Sequence, residues 1–216
     1  MKHILLSKLF FGALIFILAP LSLLSAHAAQ AHPATLVVLG DSLSAGHGID
    51  VRRGWVRQLQ IRLTQRGYRY HVVNASISGD TTAGGLARLP QTLALNHPAV
   101  VIVELGGNDG LRGLAIAEIR HNLSAIIRLA QARGSKVMLI TMRLPPNYGP
   151  VYTQQFQDLF TQLARQYRAA VAPFILDRIA GHDDLMQADG IHPVAEAQPQ
   201  MLANIWPTLE PLLHKP

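Results

Sequence analysis

The sequence predicts an α/β protein with a central parallel sheet of five strands and helices on both faces. Three observations point there. Short apolar runs alternate with longer segments of helical periodicity, in the order β-α-β-α-β-α-β-α-β-α. The runs are apolar throughout rather than alternating with polar residues, as in strands covered on both sides. Polar, glycine-bearing segments follow the strands directly, where sheets of this kind place their ligands.

Residues 36–39, Leu-Val-Val-Leu, stop at Gly40 and suit a buried first strand. Residues 55–66 carry apolar side chains at 55, 56, 59, 61 and 63 and end before Gly67, as a helix does. A second strand is expected over 71–74. A helix follows over 82–95, with Pro90 as a kink or break. The run AVVIVEL, residues 99–105, is the clearest strand. Helix 116–132 stops at Gly134. Strand 136–141 precedes helix 152–169, which places Phe156, Leu159, Phe160 and Leu163 on one face. A short last strand is expected over 171–176. A closing helix spans 194–213, made irregular by Pro199 and Pro207.

The chain of 216 residues suits one domain and a leader. Lys2 and Lys8 precede an apolar run over 9–24, and small-residue exits follow at Ala26-His27-Ala28 and Ala29-Gln30-Ala31. Residues 1–31 therefore read as a cleaved export signal, cut after Ala28 or Ala31, and 32–216 as a single domain. The apolar run is short for a spanning helix, which leaves an uncleaved anchor as the weaker alternative. A periplasmic or secreted location follows. There is no cysteine, which excludes disulfides, thiolate metal sites and a cysteine nucleophile. The formal charge is +6, but the basic residues are scattered and not interleaved with aromatics. That argues against a nucleic-acid surface and leaves transient contact with an anionic membrane open.

Four segments carry candidate chemistry. LGDSLSAG sets Ser42 just after the first strand, between Gly40 and Gly46. It is neither a G-x-S-x-G elbow, because Ser44 stands where that motif has glycine, nor a Walker loop. By itself it reads equally as an Asp-Ser helix cap. NASISGD follows the second strand, and Gly79 in it could offer a bare backbone N–H. ELGGNDG follows the third strand, with Asn108 as a neutral donor suited to an oxyanion hole. DGIHP puts Asp189 three residues before His192, a spacing that can bring a carboxylate to the imidazole Nδ1 and free the other nitrogen for a serine proton. Glu104 and Asp109 flank the third segment without being assigned as a glycosidase pair. His182, Asp183 and Asp184 read as a solvated loop rather than a metal site.

Together, in chain order, GDSLS, Gly79, GGND and DGIHP resemble the four blocks of the SGNH, or GDSL, hydrolase superfamily. LGDSLSAG, VVNASISGDT, GLARLP, VELGGNDGLRG, RLPPNYG and DGIHP resemble its bacterial periplasmic subgroup of multifunctional thioesterases, lysophospholipases and arylesterases. The likeness runs from about Thr35 to the last helix. It implies a flavodoxin-like three-layer α/β/α fold and a metal-independent, cofactor-free serine hydrolase. Ser42 would be the nucleophile, His192 the general base and Asp189 its orienting carboxylate. The oxyanion hole would be the backbone N–H groups of Ser42 and Gly79 with the Asn108 amide. Leu144, Pro145 and Tyr148 would line the acyl site. The implied substrates are fatty acyl or aryl esters, thioesters and lysophospholipids, and the expected state is a monomer. Pro146 and the segment HGIDVRRGW depart from the subgroup's usual pattern. The rival readings are a carbohydrate O-acetyl esterase of the same superfamily, which would want a polar, sugar-stacking rim, and a non-catalytic binding module.

Overall fold

Five runs of branched and apolar residues pair into one sheet in a computed structural model that describes residues 33–214. The export signal expected over 1–31 lies outside the described residues. The strands are β1 (Ala34–Gly40), β2 (Tyr70–Asn74), β3 (Val100–Glu104), β4 (Lys136–Ile140) and β5 (Ala170–Ala172). Every pairing is parallel, and the order is β2-β1-β3-β4-β5. All five residues of β3 are buried, which is why that run is the most uniformly apolar. The chain leaves β1 for one side, to β2, then returns across it to β3. The order therefore reverses between β1 and β3 and opens a crevice at their carboxyl ends. The register aligns Gly40 with Glu104, so the segments following both strands emerge side by side.

Helices cover the sheet. α2 (Trp55–Gln65) packs against α7 (Gln198–Leu209), while α3 (Thr82–Asn96) packs on α5 (Ile116–Ala132) and α5 on α6 (Pro150–Tyr167). On α6 the expected face, Phe156, Leu159, Phe160 and Leu163, is buried. Among the described residues no helix is long and apolar enough to cross a membrane.

Some elements differ from expectation. α3 runs through Pro90 without ending, because Leu89 and Leu93 are buried on its inner face and the Thr81 side chain caps its start. Packing there outweighs the backbone bond that proline cannot make. β5 stops at Ala172, since Pro173 cannot continue the ladder, and Ile175 and Leu176 are buried in a loop instead. The closing segment is not one helix but α7 flanked by two 3₁₀ turns, Ala195–Ala197 and Glu210–Leu212. Pro199 falls in the first turn of α7, where its missing N–H costs nothing. Of two one-turn helices, α1 (Ser42–Ala45) realises the Asp-Ser cap reading, and α4 (Gly107–Leu111) was not foreseen.

A buried polar knot ties three helices at the carboxyl edge. The Asp109 carboxylate accepts from the Thr82 N–H at 2.9 Å and from the Thr82 hydroxyl at 2.5 Å. Thr82 Oγ1 in turn accepts from Asn122 Nδ2 at 3.1 Å. α3, α4 and α5 are thereby held beside the crevice. Asp109→Ala would leave the Thr82 N–H buried without a partner. We expect a loss of about 3 kcal/mol, read as a fall of roughly 6–12 °C in Tm for a chain of this size.

Candidate active site

Ser42 stands at the first position of α1, directly after the end of β1. The Asp41 side chain accepts from the Leu43 N–H at 3.1 Å, and left-handed Gly46, at φ 78°, closes the turn. The Asp-Ser pair is thus a helix cap in fact, and the cap is what presents the serine. Ser42 Oγ lies 2.9 Å from His192 Nε2. His192 Nδ1 lies 2.7 Å from Asp189 Oδ2, while Asp189 Oδ1 accepts from the backbone N–H groups of Ile191 and His192 at 2.9 and 3.0 Å. These bonds, the His192 backbone N–H first, hold the Asp189 carboxyl well below the usual carboxylate range. An ionised carboxylate only accepts, so Nδ1 carries the proton and Nε2 is left to accept from the Ser42 hydroxyl. The loop around His192 is fixed by Gln187. Its N–H donates to the His192 carbonyl at 2.7 Å, and its Nε2 donates to the carbonyls of His47 and Pro193 at 2.8 and 3.0 Å.

The groups expected to donate to an oxyanion, on Ser42, Gly79 and Asn108, stand in the segments after β1, β2 and β3. Asn108, on α4, gives one side-chain N–H to the Asp80 carbonyl at 2.9 Å and the other to Asp41 Oδ2 at 3.1 Å. Gly79 sits in the segment after β2 with φ 79°, a conformation that favours glycine. The backbone N–H groups of Ser42 and Gly79 have no hydrogen-bond partner among the described residues, and both residues line the same cleft. Arg88 locks the Gly79 segment. It is paired with Asp80 at 2.7 Å and also donates to the carbonyls of Gly40 and Ala75. Arg112 donates to the Gly79 carbonyl at 3.0 Å.

Below Ser42 lie three buried polar side chains, Asp41, Ser44 and Glu104. Burial raises the Asp41 carboxyl to about 6 and the Glu104 carboxyl well above the usual range. Glu104 and Asp109 are each bound to their own partners rather than facing each other across a cleft.

The cleft has a volume of about 770 Å³. Its polar end holds Ser42, Gly79, Asn108 and His192, and its apolar wall includes Leu111, Met142, Leu144, Pro145, Phe174 and Leu176. Leu144 and Pro145 thus lie on the wall. Tyr148 does not: it is half-buried, and its hydroxyl donates to the Leu111 carbonyl at 2.9 Å. Met142, Phe174 and Leu176 were missed, although each follows the end of a strand, which sheet geometry alone would flag. Arg143 lies over the Phe174 ring, 5.5 Å from its centroid. Of metal-ligand type, His47, Asp189 and His192 have ligand atoms within 4.8 Å of one another. Two of these three are already bonded to each other, and His192 also to Ser42, an arrangement made for proton transfer. His182, Asp183 and Asp184 form no such group among the described residues.

Known proteins share this arrangement of chain. Esterase TesA of Pseudomonas aeruginosa is 55% identical over 184 residues, 85% of this chain and 92% of that protein. Thioesterase 1/protease 1/lysophospholipase L1 of Escherichia coli K12 is 40% identical over 180 residues, 83% of this chain and 85% of that one. A crystal structure of TesA superposes with a TM-score of 0.81, covering 83% of this chain and 99% of that chain. The family model for GDSL-like lipases and acylhydrolases matches residues 38–198, from within β1 to the first residue of α7, so the chain belongs to the GDSL-like lipase/acylhydrolase family.

Proposed function

We propose that the protein hydrolyses fatty acyl or aryl esters and thioesters through an acyl-enzyme on Ser42. The observation that carries this reading is the 2.9 Å contact between Ser42 Oγ and His192 Nε2, with Asp189 at 2.7 Å on the far nitrogen, at the polar end of an apolar cleft. The family acts on small ester and thioester substrates, and relatives are named esterase, arylesterase and thioesterase/lysophospholipase.

In the cycle, the Ser42 hydroxyl gives its proton to His192 Nε2 as Oγ bonds the acyl carbon. The charge that develops on the carbonyl oxygen is held by the N–H groups of Ser42 and Gly79 and by the Asn108 amide. Asp189 stabilises the imidazolium. His192 then protonates the leaving alkoxide or thiolate, and the carbon–heteroatom bond breaks. Water attacks the acyl-enzyme by the same steps, returning free Ser42 and a carboxylic acid. Apart from substrate and water, the cycle uses only groups of this chain.

The apolar wall favours fatty acyl or aryl groups over the acetylated sugars of the rival esterase reading. Ile191 lines the cleft and is half exposed, which suits substrates presented at a lipid surface. With the leader read from the sequence, the site of action is the periplasm or the exterior, and lysophospholipids or other esters suit that location better than coenzyme A thioesters.

Ser42→Ala should abolish both p-nitrophenyl ester hydrolysis and labelling by a fluorophosphonate probe while leaving the fold intact; near-normal turnover would sink the assignment. Asn108→Ala should lower kcat by roughly 10²–10³-fold with little change in KM. A loss confined to KM would mean that Asn108 binds ground-state substrate. Leu144→Trp narrows the apolar wall. In a chain-length series its kcat/KM should fall by about tenfold for decanoyl esters and stay near wild type for acetyl esters.

A further inference from the structure

The acyl-transfer cycle leaves a buried pair of carboxyl groups unused. Glu104, the last residue of β3, is 0% exposed. Its Oε2 accepts from the Ser44 hydroxyl at 2.5 Å and from the Asp41 N–H at 3.3 Å. Its Oε1 is also buried, and no donor is directed at it. The Asp41 and Glu104 carboxyl groups are neighbours in one buried space, the Asp41 N–H resting on Glu104 Oε2. Two carboxyl groups buried side by side do not both ionise, so one of them keeps its proton and can donate it to the other. Asp41 already accepts from Leu43 N–H on Oδ1 and from Asn108 Nδ2 on Oδ2. Asp41 is therefore the better anion, and Glu104 the better acid.

We propose that Glu104 is a positioning residue: a neutral carboxylic acid that donates to the Asp41 carboxylate and, through it, fixes the Asn108 amide and the turn bearing Ser42. The inference rests on the acyl-transfer reading of Ser42 and Asn108. Burial raises both carboxyls, the direction required of Glu104, while the bonds from Leu43 and Asn108 act to lower Asp41. The sequence makes room for the pair. A Cβ at Gly40 would stand 2.7 Å from Glu104 Oε2 and 2.8 Å from Ser44 Oγ, so the strand must end in glycine for the acid to fit. The polar groups around it are few. Asn74 donates to the Ser44 carbonyl, Arg88 to the Gly40 carbonyl, and His192 Nε2 faces Ser42 Oγ. None of these donates to Glu104. Two anions side by side here would repel each other and push Asp41 off Asn108. One shared proton prevents that.

The test compares Glu104→Gln with Glu104→Met in the full chain. Glutamine keeps a carbonyl for Ser44 and the Asp41 N–H and offers its own N–H to the Asp41 carboxylate. Its kcat should stay within about threefold of wild type. Methionine fills the space but can neither accept as a carboxyl does nor donate, and kcat should fall by roughly 30-fold or more while KM stays within about twofold. A pH profile gives a readout that a purely structural role would not move. Wild-type kcat should decline at alkaline pH as Glu104 ionises, whereas the Gln variant, with no proton to lose there, should stay level. A Gln variant as impaired as the Met variant, a Met variant with wild-type kcat, or the same alkaline decline in wild type and Gln variant would each overturn the proposal. If the Met variant does not fold, the rate and alkaline limb of the Gln variant decide. An active Ser42→Ala would instead overturn the acyl-enzyme reading, so the two failures are distinct.

Discussion

The Asp41 carboxylate sits where the strand order reverses, and the segments after three strands meet at it. It caps the turn that presents Ser42 after β1 and accepts the Asn108 amide from the segment after β3. That same amide holds the Asp80 carbonyl, one residue past Gly79, in the segment after β2. No single segment has the length or regularity to define its own geometry. Parallel pairing brings their starting points together, and the register of Gly40 with Glu104 sets them level. A few polar bonds then do what secondary structure cannot in segments this short.

These polar bonds put opposite pH dependences into one fold. Asp189 is bonded by two backbone N–H groups and an imidazole, so its carboxyl is held low. The stability this contributes is present above the carboxyl's unfolded value and is lost as pH falls through its folded one. Asp41 is raised to about 6 by burial. Its contribution is complete below the unfolded value and is lost as pH rises through about 6. The exposed half of the site is therefore favoured by neutral pH and the buried half by acid. Buried carboxyls are a poor way to gain stability, which directs attention to the geometry they impose.

The strands and long helices were legible because their signals are repeated. α5 lies where its periodicity and terminal Gly134 placed it, and β3 could be read from the four consecutive branched residues 100–103. The one-turn helix α4 could not be read, since a single turn has no period, and α1 was visible only as one reading of its Asp-Ser cap. Pro90 and Pro173 show the limit of local rules. One is overruled by burial of the helix face, and the other is obeyed because β5 is a short edge strand. In the site, Asp189 and His192 were visible through their spacing and Ser42 through its neighbours. Glu104 and Arg88 were not. Glu104 reads as the polar end of a strand, and Arg88 as an exposed helix residue eight positions from Asp80. Only the fold reveals that each bonds inward.

The Asn108 amide shows why such remote groups bear on chemistry. Both of its N–H bonds are occupied in the resting site, so in the proposed cycle an incoming oxyanion must share or replace one of them. The Asp80 bond is the shorter, at 2.9 Å, and it fixes the segment carrying Gly79. Giving it up would release the segment that carries Gly79. The Asp41 bond is longer, at 3.1 Å, and ends on a carboxylate whose negative charge the oxyanion would repel. Charge developing on the substrate therefore competes for the same N–H, and the less charge Asp41 bears, the more readily the amide turns to the substrate. A hydrogen bond from a neutral acid draws charge away from Asp41 without breaking the contact that orients Asn108. A carboxylate there without that acid would hold the amide too firmly, and an apolar residue would not hold it at all.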